Sequence, residues 1–317
     1  MNITQRVIYE QFPFWRAAMG LELPALSDKT IVFVGCGTSY YLAQTLAAAF
    51  NLAGRTALAV AGSEWGQHRR AYVGDRGDLC VVGLSRSGES TETVEAVRIS
   101  AAAGMETLAI TCAAGTAITR VAARSIVAET HVDEGIVMTC SASLMLLVGL
   151  RMAGVHIADA TVDAAEAALF TMEEKGRDII AGRTHFVYLG AGPFFGLAAE
   201  GALKLQEMSL SYSQFFHPLE YRHGPISLID RSSLVTLLYD PETQDGEERV
   251  AHDVQAKGAA VIGFGGAGDL SIAVEEKSLA RMLVMLPALQ ILGEQVAQSK
   301  QLDTTRPRHL TKVVTLG

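Results

Sequence analysis

Three serines and an arginine stand together in SRSGES (85–90), between the apolar run CVVGL and TETVEAVRIS, which reads as a helix. A turn of this kind at a helix start offers hydroxyl donors, unpaired backbone N–H groups and the positive end of the helix dipole, which is the chemistry of an anion site. Two further polar turns follow apolar runs in the first half, GCGTS (35–39) and EGIVMTCS (134–141). Hydroxyls of Ser39, Ser85, Ser87, Ser90 and Thr139 could surround a phosphate without a metal. The competing reading of any one such turn is a helix cap, with Ser90 or Thr91 in that role. The second half holds acid–base candidates. LAAEGALKLQEMS places Glu200, Lys204 and Glu207 at i, i+4 and i+7, on one face of an otherwise apolar helix. That row reads as a solvated stripe with a Glu–Lys pair worth about 0.2–0.5 kcal/mol, or as a proton-transfer site. In EYRHGPISLID, Glu220, Arg222 and His223 precede a rigid Gly-Pro turn and a strand-like run.

The elements that must position these residues alternate along the chain. TIVFVGCG, TALAVAG, LCVVGLS and TLAITCA read as strands in the first half, and HFVYLGAG, SLVTLLYD, AAVIGFGG and RMLVML in the second, each set separated by helical or turn segments. Near-continuous apolar strands between helices predict parallel sheets covered on both faces. The halves resemble each other: FVGCGTSYYLA (33–43) and YLGAGPFFGLA (188–198) share both glycines and a Leu-Ala pair at a constant offset of 155 residues. This predicts an α/β chain of two tandem αβα sandwich domains with flavodoxin-like parallel sheets. Residues 1–28, with Phe12, Phe14 and Trp15, form a helical segment that packs on the first domain or a partner. Residues 29–160 are the first domain, and residues 161–317 the second with a C-terminal tail, joined near DATVDAAEAALF (159–170). A dinucleotide fingerprint does not fit, because Tyr40 stands where GxGxxG requires its third glycine and no acidic ribose ligand follows.

Composition narrows the function classes. Hydrophobic residues make up 49% of the 317 and charged residues 19%, which is enough for a sizeable core and argues against disorder. The net charge of −8, without a basic run, argues against nucleic acid. Cys36, Cys80, Cys112 and Cys140 lie in or beside apolar stretches with no CxxC pair, which predicts buried thiols in a reducing compartment and no metal site. ASLMLLVGLRMAGV is interrupted by Arg151 and reads as a core helix; without a signal peptide or a run of about 18 apolar residues, a cytoplasmic protein is expected and a membrane partner is not.

GCGTSYYLAQTLA, SRSGESTETVEAV, AAEGALKLQEMS, EYRHGPISLID and RPRHLTKVVTLG together resemble the SIS (sugar isomerase) family, from about residue 30 to the C-terminus. The likeness is greatest to the isomerase half of glucosamine-6-phosphate synthase and to related phosphosugar ketose/aldose isomerases and deglycases. It implies a sugar 6-phosphate as partner, catalysis at C1/C2 without a cofactor, and a homodimer with shared active sites. By resemblance, Ser85, Ser87 and Ser90 hold the phosphate, with Cys36, Gly37, Thr38, Ser39 and Arg86 alongside, and Val137 and Thr139 touch the sugar. Glu207 matches the carboxylate that carries the proton between the two carbons. Lys204 and His223 match residues of ring opening, His223 reaching in from a neighbouring protomer, and Glu200 matches a supporting carboxylate. Lys312 matches a lysine on a tail that closes over the sugar. Arg86 stands where the synthase has glutamine, and MTCSAS (138–143) replaces its Ser-Thr-Lys run, which leaves the sugar open. With no glutaminase domain ahead of the first domain, glutamine is not expected as a nitrogen donor. A fructosamine-6-phosphate-type deglycase and a non-catalytic phosphosugar sensor are the alternatives. The retained Glu207, Lys204, His223 and Lys312, and the lack of a DNA-binding segment, argue against the sensor.

Overall fold

The computed structural model describes residues 1–314 and resolves them into two compact units. In the first unit, β1 (Thr30–Gly35), β2 (Ala57–Ala61), β3 (Leu79–Ser85), β4 (Glu106–Thr111) and β5 (Arg124–Val127) form one parallel sheet in the order β2-β1-β3-β4-β5. Parallel pairing demands a crossover after each strand, supplied by α3 (Thr38–Leu52), α4 (Gly62–Val73), α5 (Thr91–Ala102) and the short α6 (Ala117–Val121). Every residue of β3 is buried, as a strand covered on both faces must be. Helix α7 (Cys140–Met152) is buried from Cys140 to Leu150 and packs against α2 (Phe12–Met19), which contributes the fully buried Trp15. Arg151, the interruption in that apolar run, caps α2 by donating to the Ala18 and Leu21 carbonyls at 2.7 and 3.0 Å.

The second unit repeats the plan. Its strands β6 (His185–Gly190), β7 (Ser213–Phe216), β8 (Ser233–Leu238), β9 (Ala260–Phe264) and β10 (Leu270–Ile272) are parallel in the order β10-β9-β8-β6-β7, the same topology as the first sheet. Around them lie α8 (Asp159–Ile180), α9 (Phe194–Ser209), α10 (Pro218–Tyr221), α11 (Gln244–Ala256) and α12 (Arg281–Ser299). The shared glycines have shared physical roles. A Cβ on Gly35 would lie 2.7 Å from the Ser39 backbone, and one on Gly190 would lie 2.4 Å from the Phe194 carbonyl oxygen. Gly37 and Gly192 take φ of 55° and 49°. In both units, one glycine lets the helix approach the strand and the next makes the left-handed turn into it.

Three expectations are corrected. RMLVML is the start of α12 and not a strand; Arg281 through Ala297 are all buried there, and a helix buried on every side has no periodicity to read. The segment at 159–170, near which the halves were expected to join, opens the helix α8 just after the division at Ala158, and Val162, Ala165, Leu169 and Met172 are buried along it at helical spacing. The N-terminal segment is divided: α1 (Ile3–Tyr9) belongs to the second unit, where it packs on α12, and the chain from Glu10 belongs to the first. Residues 311–314 belong to the first unit. Strands β5, β7 and β10 are short and half-exposed, or too brief to stand out in the sequence. No helix among the described residues is long and apolar enough to cross a membrane.

Because the space beside Gly35 is closed by helix backbone, Gly35→Ala must push α3 off the sheet. It should lower unfolding free energy by about 1–3 kcal/mol, read from urea melts, whereas an alanine at Gly77, which meets nothing within 4 Å, should change little.

Candidate functional site

The carboxyl ends of β1 and β3 are neighbours in the first sheet, and the connections leaving them run to opposite sides. Such a reversal opens a crevice at the strand ends. Both polar turns of the sequence lie there, GCGTS after β1 and SRSGES after β3. Gly88, at φ 66°, makes the second turn possible; a Cβ there would sit 2.1 Å from the Thr116 hydroxyl. The Gly88 N–H donates to the Ser85 hydroxyl at 3.1 Å, and the Glu89 N–H donates to the Ser87 hydroxyl at 3.2 Å. Each hydroxyl thereby accepts a bond from the turn itself, which leaves its proton to be donated elsewhere. Ser90 is the N-cap residue of α5 but makes no side-chain cap bond. The cap reading of this serine is therefore set aside. The first α5 bond runs from Val94 N–H to Ser90 O, so the preceding N–H groups of the helix point back at the turn.

The rest of the first-unit set has more specific geometry than the sequence indicated. Thr38 and Ser39 open α3 and are 3% and 4% exposed. The Cys36 thiol lies 3.5 Å from the Thr93 hydroxyl and against Gly62, under the start of α5. Burial raises the Cys36 and Cys112 thiols above their ordinary range and pushes Cys80 and Cys140 up to about 12. All four are protonated at neutral pH, which fits apolar packing and not nucleophilic use. Val137 is buried. The Thr139 hydroxyl and N–H both donate to Oε1 of Glu134, at 3.3 and 2.8 Å, and Ser141 N–H joins them at 3.0 Å. The anion at the N-terminus of α7 is thus the protein's own carboxylate.

Glu134 is the residue that sequence reasoning missed. It is 2% exposed, its Oε2 accepts from the Thr130 hydroxyl at 3.0 Å, and its backbone carbonyl accepts from Nζ of Lys312 at 2.6 Å. Its signal was an acidic residue just ahead of a helix start. Arg86, expected beside the substrate, turns instead to backbone: Nη1 donates to the Gly135 and Ile136 carbonyls at 3.0 Å each, and Nη2 to the Lys312 carbonyl at 2.7 Å.

In the second unit, Glu200, Lys204 and Glu207 lie on α9 as the spacing required, but they are not a solvated stripe. Lys204 and Glu200 are fully buried. The Lys204 ammonium is hydrogen-bonded to Glu207 Oε2 and lies 3.6 Å from Glu200 Oε1. Only Glu207 of the three reaches the surface, with 21% of its side chain exposed. Burying a lysine costs several kcal/mol unless carboxylates compensate it, so the flanking pair is what permits Lys204 to stand there. The outcome is one carboxylate, oriented by a fixed cation, at the edge of an apolar helix. His223 is exposed on the turn after α10, ahead of Gly224 at φ 127°. The other histidine of that stretch, His217, stacks face-on against Phe195 with ring centroids 4.0 Å apart. Among the described residues no group of three or more His, Cys, Asp or Glu side chains could hold a metal ion.

Residues 26–153 match the SIS domain family model. The chain is 26% identical over 298 residues to a glutamine–fructose-6-phosphate aminotransferase (isomerizing) of Sulfurisphaera tokodaii, covering 90% of this chain and 50% of that protein. It spans about half the length of the curated relatives it matches. Among solved structures, glucosamine-6-phosphate deaminase of Thermotoga maritima superposes with a TM-score of 0.85 at 27% identity, covering 99% of this chain and 100% of that one. Tagatose-6-phosphate ketose/aldose isomerase of Escherichia coli, at 21% identity and a TM-score of 0.79 over 94% of this chain, shares the fold.

Glu134 accepts from two buried backbone N–H groups at the start of α7. Glu134→Ala should therefore cost about 2–3 kcal/mol, measured by denaturant unfolding; a loss below about 0.5 kcal/mol would show that water replaces the carboxylate.

Proposed function

We propose, starting from the membership of residues 26–153 in the SIS domain family, that this protein is an enzyme acting at C1 and C2 of a sugar or amino-sugar 6-phosphate by aldose–ketose interconversion. The observation that carries the reading is the buried Glu200–Lys204–Glu207 row, in which Glu207 alone is both oriented and accessible. A module that only bound a phosphosugar would gain nothing from burying a lysine between two carboxylates. Interconversion needs a single base able to take a proton from one carbon and return it to the next. Glu207 has that role in our reading, with Lys204 fixing its carboxylate and His223 serving the ring oxygens. The turn Ser85–Ser90 holds the phosphate, with Thr38 and Ser39 beside it, and phosphate binding energy keeps the reacting carbons in place. Neutral donors suffice for this, so no cofactor enters.

Amine release is the second reading. A protein named as a glucosamine-6-phosphate deaminase is matched over 99% of this chain and 100% of its own at 27% identity, and loss of ammonia from C2 uses the same proton transfer between C1 and C2. We further propose a cytoplasmic homodimer in which His223 crosses to the partner's site. In support, His223 is exposed on its turn, and Leu219 and Leu228 on either side of it are 56% and 57% exposed.

Glu207→Gln should retain phosphosugar binding while turnover falls by roughly 10²–10⁴-fold. The measurement is C2-proton exchange in heavy water, followed by NMR across a panel of sugar and amino-sugar 6-phosphates; undiminished exchange in the variant would move the chemistry to another residue. For the shared site, inactive Glu207→Gln and inactive His223→Ala proteins should recover part of the activity when their subunits are exchanged. Proven heterodimers without recovery would place His223 in its own protomer's site.

A further inference from the structure

Arg86 stands between the two serines that the proposed function assigns to phosphate, yet its guanidinium is directed at carbonyl oxygens. Both Nη1 protons are taken, by Gly135 and Ile136, and one Nη2 proton is taken by Lys312. Of the five N–H donors of an arginine, two remain. Its main chain is fixed as well, since the Arg86 carbonyl accepts from Cys112 N–H at 3.1 Å and from the Thr111 hydroxyl at 3.2 Å. The side chain is 92% buried.

The partner at the far end is the C-terminal tail. Lys312 is gripped twice: its carbonyl accepts from Arg86, and its ammonium donates to the Glu134 carbonyl at 2.6 Å. Both are charge-assisted hydrogen bonds. Among the described residues little else holds 311–314, because Thr311, Lys312 and Val314 are exposed and Val313 is only half-buried. A segment held by two polar bonds and little apolar area opens at low cost.

We infer that Arg86 is the latch of the tail, a positioning residue that ties the turn Ser85–Ser90 to Lys312, and is not itself a ligand of the substrate. The latch goes beyond the reading of that turn as a phosphate cradle and does not depend on it, because every acceptor of the guanidinium is a backbone carbonyl. Those carbonyls belong to the loop after β5 and to the tail, so the guanidinium braces one against the other.

Trypsin tests this on the full chain, because it cleaves after Lys312 only when the tail leaves the latch. In Arg86→Gln, release of the peptide following Lys312, read by mass spectrometry, should quicken by about 10-fold or more, the effect of losing a hydrogen bond to a charged group. Affinity for inorganic phosphate, read by calorimetry, should change less than about 2-fold, whereas Ser87→Ala should weaken phosphate by about 10-fold or more and leave tail cleavage alone. If Arg86→Gln does not fold, Arg86→Lys keeps the charge but reaches one carbonyl, and should give an intermediate cleavage rate. A folded variant with unchanged cleavage overturns the latch, as does a fall in phosphate affinity with the tail still protected. Failure of the parent protein to bind phosphate overturns the cradle alone, and the cleavage rates still decide the latch.

Discussion

The close approach of helix to strand at Gly35 and Gly190 is the constraint on which both units depend. A parallel sheet sends every strand out at the same edge, and every crossover helix begins there. Where the first helix begins is set by how tightly the chain turns, and any side chain at Gly35 or Gly190 would collide with helix backbone. With the turn closed, the starts of α3 and α5 face the same crevice at the β1/β3 boundary. The hydroxyl residues Thr38, Ser39, Ser85, Ser87 and Ser90 all follow those two strands, in the turns and first helical residues set by that backbone geometry.

The two units use that frame differently. In the first, the serine and threonine hydroxyls of the turns are neutral donors, and the nearby carboxylates are engaged by the protein itself, Glu134 at the N-terminus of α7 and Glu89 with the Ala117 N–H. In the second, charge is buried outright. A lysine at zero exposure is tolerable because Glu200 and Glu207 lie within one turn of it on the same helix face. Helical spacing therefore settles both the identity of the partners and the orientation of the one that emerges. Donors suit the recognition of an anion, and an oriented carboxylate suits the movement of a proton.

Arg86 binds the first unit's parts to one another. Strand β5 is two places removed from β3 in the sheet, about 10 Å away, and the loop that follows it would drift without a brace. The guanidinium spans that gap by collecting the Gly135 and Ile136 carbonyls, and the tail is added through the third. The loop is also pinned from the other side, where His131 Nε2 meets Glu10 at 2.8 Å.

What the sequence determined by itself is what neighbours in the chain decide. The parallel α/β class was legible in the apolar strands, the tandem repeat in glycines 155 residues apart, and the α9 row in its i, i+4, i+7 spacing. Each rests on local periodicity or turn chemistry, which act over a few residues. Tertiary structure decided the rest. RMLVML is helical because α12 is enclosed on all sides, and a short apolar run fits strand or buried helix equally well. Whether Lys204 meets water or two carboxylates depends on what covers α9. Arg86 finds its acceptors 49, 50 and 226 residues away, and no spacing rule reaches so far. A guanidinium carries the same charge whether it faces a phosphate or a carbonyl, and only the folded chain determines which oxygen lies within 3 Å of it.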